Sequence, residues 1–155
     1  MLLKDRIQQV TSTTGLGPYT LGATQTGFKP FSSLGEGITC YCCSSETEWE
    51  VGIGTYNGTL SRDTIIASSN GDNKVNWPAG DKQVYVTLSS QLFTKTFNQD
   101  NPASTWTIPH FFGRPPRVTV LDSGGNLVVP EVQHANLFEL NLQFSPATAG
   151  IAYLS

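Results

Sequence analysis

The chain has 155 residues, a net charge of −3, 38% apolar residues, 14% charged residues, 15 glycines and 9 prolines. That length allows one domain or two small ones, and folding at this size buries roughly 68–70% of the unfolded surface. Few charges and many turn residues point to an all-β protein, and without a basic cluster the chain lacks the electrostatic footprint of a nucleic-acid binder.

The N-terminal Met1-Leu2-Leu3-Lys4-Asp5-Arg6 places charges where a secretory signal needs an apolar run. Nothing approaches the about 18 consecutive apolar residues of a membrane helix. The expectation is synthesis in a cytoplasm, no membrane association and, for work outside the cell, release by another route such as lysis.

Arg6–Thr14 reads as a strand because its β-branched residues outweigh the helix formers before them. Gly15-Leu16-Gly17-Pro18 is a turn, Tyr19–Leu21 a second strand, and Phe28–Gly37 a loop whose phenylalanines reach the core. Ile38–Cys43 is a strand leading into Trp49–Tyr56, around which the first half is organised. There Glu46, Glu48 and Glu50 alternate with Thr47, Trp49 and Val51. This predicts a wet acidic face and a buried face carrying Trp49. Gly52 and Gly54 interrupt the rows, which signals a bulge or a close backbone approach. Asn57-Gly58 turns the chain, Thr64–Ala67 returns, Ser68–Gly71 turns again, Asp72–Trp77 holds a short strand, and Gln83–Leu88 closes the module with Val84, Val86 and Leu88 on one face.

Polar residues and Asn101-Pro102 mark 91–103 as a linker. Beyond it, Ser104–Ile108, Pro116–Leu121, Leu127–Val132, Leu137–Phe144 and Gly150–Leu154 predict a five-strand antiparallel meander, with a turn at Asp122–Asn126. The expected architecture is therefore all-β, two small tandem modules over 1–90 and 104–155. The first is a hairpin-built sandwich or partly open barrel.

Two segments resemble known modules. The run LKDRIQQVTSTTG, then EWEVGIGTYNGTLSRDTIIASSNG and VNWPAGDKQVYVTL, spans Leu3 to Leu88 and resembles a small module of tailed-bacteriophage virion proteins found in tail fibres, collars and head attachments. Over Phe97–Ser155, WTIPHFFGRPPRVTVLDSGGNLVVPEV is similar to a β module at the C-terminal ends of phage tail-fibre proteins. Those modules place histidine, asparagine and leucine before Gly-Arg. Here His110, Phe111 and Phe112 precede Gly113-Arg114, so no role of that asparagine carries over. The resemblance implies a virion structural protein, a multi-copy collar, neck, tail or head-decorating component that forms homo-oligomers and contacts other virion proteins. The alternative it leaves open is a receptor- or carbohydrate-binding module recognising a host surface glycan, for which Trp77, Trp106 and Tyr56 are candidate platforms.

Candidate chemistry is sparse. His110 and His134 are the two histidines, too few for a metal centre without converging partners, and His110 reads as a turn residue with local hydrogen bonds. The Glu46/Glu48/Glu50 row reads as an exposed strand face in preference to a cation site. Gly52-Ile53-Gly54 lacks the third glycine and the helix of a dinucleotide site, and no Gly-x-Ser-x-Gly elbow occurs. The reading is no enzyme, no cofactor and no metal. Cys40, Cys42 and Cys43 are either small core residues or, given the odd count, donors of an inter-subunit disulfide formed in an oxidising medium. Trp106, Phe111, Phe112, Phe138 and Tyr153 are the expected subunit interface, being more aromatic surface than one thin sheet covers.

Overall fold

The computed structural model describes residues 1–155. It is all-β and divides into two compact units, Met1–Ser89 and Ser90–Ser155. No helix is long and apolar enough to cross a membrane.

The first unit is one antiparallel sheet of β1 (Gln8–Thr11), β2 (Gly37–Ser44), β3 (Trp49–Tyr56), β4 (Thr64–Ser68) and β5 (Lys82–Val86), in the order β1-β5-β2-β3-β4. β2 is central and rich in buried side chains because it has a neighbour on each side. Against the sheet residues Tyr41, Cys43 and Val84 pack Tyr19, Phe31, Leu34, Leu60, Val75 and Trp77, which come from the segments between strands. The layer facing the sheet is thus made of connections, each tied down at one point. Tyr19 bridges Leu60, Trp77 bridges Gly15, and Thr24 and Lys29 bridge Gln9 and Ile7. The strands expected at Tyr19–Leu21 and Asp72–Trp77 are reduced to those single bridges. Neighbouring carbonyls at Gly17 and Val75 accept from the Arg62 side chain, and the Gly15 carbonyl accepts from it as well as from the Trp77 amide.

The two glycines of β3 do what their spacing implies. A Cβ on Gly52 would lie 2.7 Å from the Tyr41 hydroxyl and the Thr64 carbonyl, and one on Gly54 would lie 2.0 Å from the Ser61 carbonyl. The β3–β4 register also shifts between Val51 and Gly52. Both glycines belong to the core face, and neighbouring segments fill the space their missing side chains leave.

The second unit holds β6 (Lys95–Pro109), β7 (Val118–Asp122), β8 (Leu127–Val128), β9 (Glu131–Asn136) and β10 (Glu139–Leu154). Five strands are present, but they are not the five expected. Leu127–Val132 is split between β8 and β9, and Leu137–Phe144 and Gly150–Leu154 merge into the single β10. The order β6-β10-β7-β8, with β9 also on β10, does not follow the chain. The segment expected as a linker carries a short 3-10 turn (Ser90–Leu92) and the first half of β6. Polar side chains at alternate positions there reflect a strand with one exposed face. β10 is continuous: residues 139–143 pair with β6 and β9, residues 150–154 with β6 and β7, and the register shifts in between, beside the cis Ser145–Pro146 bond.

That interruption folds the sheet over itself. Trp106 from one half lies 4.5 Å, ring to ring, from Phe144 and 6.1 Å from Phe97, which belongs to the other half. Its indole N–H donates to the Thr148 carbonyl in the bend at 3.1 Å. Trp106, Ile108, Leu140 and Leu142 then share one core with Val120, Ala152 and Leu154. The sheet has one apolar face to cover, and by doubling it covers that face itself. The Asp122 carboxylate closes the expected turn, accepting from the Gly124 and Asn126 amides at 2.8 Å each.

Candidate functional site

The most organised polar cluster is built on Glu50. Its parity on β3 is that of Gly52 and Gly54, so it points into the core and is 0% exposed, while Trp49 is 43% exposed. This reverses the expected faces of the strand. The acidic alternation is real, but Glu50 has a partner that no local pattern displays. Arg62, on the connection from β3 to β4, forms a buried two-pronged ion pair with it: Nε donates to Oε1 at 2.9 Å and the Nη2 group to Oε2. Tyr41 on β2 donates to Oε1 at 2.6 Å, Tyr19 donates to the same oxygen at 3.1 Å, and the Val75 amide donates to Oε2 at 2.9 Å. The Trp77 indole N–H in turn donates to the Tyr19 hydroxyl at 2.9 Å.

Burial alone raises the pKa of Glu50, but the hydrogen bonds from Arg62, Tyr41 and Val75 outweigh it and hold the carboxyl below its ordinary value. The two tyrosines move upward, burial being the main cause for both and the Glu50 charge adding to it. They therefore stay protonated donors. Arg62 also reaches the Gly15, Gly17 and Val75 carbonyls and lies 5.2 Å over the Tyr19 ring. The cluster cross-links five separate segments and spends its donors on one another and on the neighbouring carbonyls. It can hold the roof of loops on the sheet; it leaves no oxygen of Glu50 aimed at a ligand.

A second buried cation works the same way. Lys82, 2% exposed, donates from Nζ to the Thr13, Pro78 and Gly80 carbonyls at 2.9, 2.5 and 2.7 Å. It anchors two turns without a carboxylate partner. Neither Arg62 nor Lys82 stood out in the sequence. The available signal was the shared parity of Glu50, Gly52 and Gly54, since glycines on a strand face imply that bulk arrives from elsewhere.

The cysteines divide as alternation requires, Cys40 and Cys42 on one face of β2 and Cys43 on the other, but all three are buried and reduced. Burial pushes the Cys40 thiol up to about 11 and Cys43 up to about 12. Cys42 is raised by the same cause. This corrects the expectation of an outward-facing cysteine: β2 is the central strand, and the inter-subunit disulfide has no surface sulfur from which to form.

The expected interface set is also divided. Trp106 and Phe112 are interior, 1% and 5% exposed, because the doubling of the sheet turns their row inward. Phe111 and Phe138 are half-buried, and Tyr153 is 44% exposed. The most exposed apolar residues are instead Leu127 and Val129, 68% and 87%, joined by Val132 and Leu137 around the edge strands β8 and β9. Of the candidate glycan platforms, Trp77 and Trp106 are buried and Tyr56 is half-buried against Phe31.

His110 is buried at the end of β6. Its Nδ1 accepts the Phe112 amide at 3.4 Å, the local bond expected of it, and its Nε2 has no partner. His134 lies exposed on β9. No three His, Cys, Asp or Glu side chains converge as a metal site.

Compared with known proteins, the chain matches no family model, no curated protein and no solved structure.

Proposed function

We propose that the chain is a structural component of a bacteriophage virion, a multi-copy collar, neck, tail or head-surface part that works through assembly contacts of its second unit. The observation that carries this reading is the exposed edge at β9, with Leu127, Val129, Val132 and Leu137 exposed on and beside it. β9 is six residues long, every one exposed, paired on one side only with β10, and free of proline and lysine. Folded proteins usually blunt such an edge, because its free N–H and C=O groups accept another strand. By contrast, the outer edge of β1 is closed by the chain itself, through bonds linking Gln8 and Val10 with residues 22–29. The occupant that fits β9 is a second copy of the same strand. Antiparallel self-pairing centred on Gln133 sets Val132 beside the partner's His134 and opposes no like charges. The resemblance of Leu3–Leu88 and Phe97–Ser155 to virion modules supports the same reading.

Sedimentation of the full chain tests it. Self-association is expected, and Val129→Lys with Val132→Lys should abolish it while leaving the protein folded. A wild-type monomer at all concentrations, absent from purified particles, overturns the proposal.

Exposed Trp49 favours a second reading, recognition of a host surface glycan by the first unit. It begins β3, beside the β2–β3 turn, and its backbone N–H donates to the Ser69 hydroxyl at 3.1 Å. Binding on a glycan array that is lost in Trp49→Ala supports this alternative; no binding removes it.

A further inference from the structure

His110 is the buried side chain whose bonding is incomplete. It is 1% exposed, packs edge-on to Phe112 at 5.2 Å, and its backbone N–H donates to the Phe138 carbonyl at 2.7 Å, at the turn that joins β9 to β10. Because Nδ1 accepts a hydrogen bond from the Phe112 amide, the neutral ring carries its proton on Nε2, which has no acceptor. A second proton has one place to go, Nδ1. There it removes the only acceptor of the Phe112 amide and creates a charge inside an apolar core.

The surroundings offer that charge no relief. His134 on β9 and Lys95 on β6 both act against it, and Arg114 lies 5.6 Å over the Phe112 ring. Glu139, the acid that opens β10, pairs with Pro109 and so belongs to the sheet face opposite to Ile108 and the core. Burial first, then His134 and Lys95, hold the His110 pKa below its ordinary value.

We infer that His110 is an acid-sensitive latch: protonation of its ring at Nδ1 breaks the contact with the Phe112 amide and frees the β9–β10 hairpin, loosening the second unit while the first keeps its fold. A histidine depressed in the folded state contributes stability that is present above about pH 6.5 and is lost as pH falls toward the folded value. The lost protection amounts to up to about tenfold per pH unit in that window. The latch does not depend on the virion reading, since it concerns the hairpin's own stability.

Hydrogen exchange on the full chain between pH 7.5 and 5.0, corrected for intrinsic rates, tests it. Peptides covering 131–144 should lose protection in that window, and those covering 49–56 should not. His110→Phe keeps the ring volume without a titratable nitrogen and should make 131–144 insensitive to pH; His134→Gln should not. In the wild-type protein, the NMR titrations of the His110 ring and of the Phe112 amide should share one midpoint, below about pH 6.5 and at the acid end of the protection loss, whether or not the variant folds. Protection that stays constant from pH 7.5 down to the ring's midpoint, an equal loss in both units, or a pH response persisting in His110→Phe would each overturn the inference.

Discussion

The two units solve one problem in opposite ways. Each has a small sheet with too little regular structure to cover it. The first unit covers its sheet with irregular connections and fastens them through a buried, fully bonded polar cluster around Glu50 and Arg62. The second covers its sheet by doubling it, with an apolar core centred on Trp106 and a single unpartnered nitrogen at His110. Loops need directional bonds to hold one conformation, because their backbone groups lack a ladder partner. A strand pair already has its ladder, so shape complementarity suffices.

The largest effect should come from leaving one charge of the hub alone. Removing one partner of a buried ion pair costs roughly 3–5 kcal/mol, whereas replacing both with apolar residues is often close to neutral. Arg62→Met should therefore destabilise the first unit by about that amount in urea unfolding, and the double change Glu50→Leu with Arg62→Leu by clearly less. A single-variant loss of under about 1 kcal/mol would put the pair on a level with surface ion pairs.

Gly54→Ala comes next. Its Cβ would meet a backbone carbonyl, not a flexible side-chain end. Overpacking of that kind costs about 1–3 kcal/mol, read as a lower unfolding midpoint of the first unit. Unchanged stability would mean that the β3 bulge relaxes freely.

Acid should separate the units. Glu50 is depressed in the folded state, so its contribution is present above the ordinary carboxylate value and is lost as pH falls below about 4. The second unit should weaken earlier, as pH falls below about 6.5, through His110. Circular dichroism with site-resolved exchange at pH 7, 5 and 3 should show two steps; one shared step would mean the units unfold together.

The smallest effect on stability belongs to the exposed edge. Val129→Lys removes an almost fully exposed side chain and should change unfolding by no more than about 0.5 kcal/mol. Its consequence should appear in sedimentation instead. A large stability loss would show that Val129 packs within its own chain.

The amino-acid sequence by itself determined the β class, the division into two modules, and the turns at Asn57-Gly58 and Asp122–Asn126. It also determined the strands read at Ile38–Cys43, Trp49–Tyr56, Thr64–Ala67 and Gln83–Leu88, which the structure places within a residue or two as β2 to β5. All of these rest on period-two alternation or on residues that tolerate turn geometry, and both signals are local. Tertiary structure decided which face of a strand is inside. Glu50 looks like a solvated residue until Arg62, Tyr41 and Val75 converge on it from other segments. Trp106 looks available to a partner until Phe97 and Phe144 fold over it from sequence positions that are adjacent only once β10 bends. Alternation shows that a strand has two faces, but its sign depends on contacts made far along the chain, and a charged residue with distant bonding partners can reverse it.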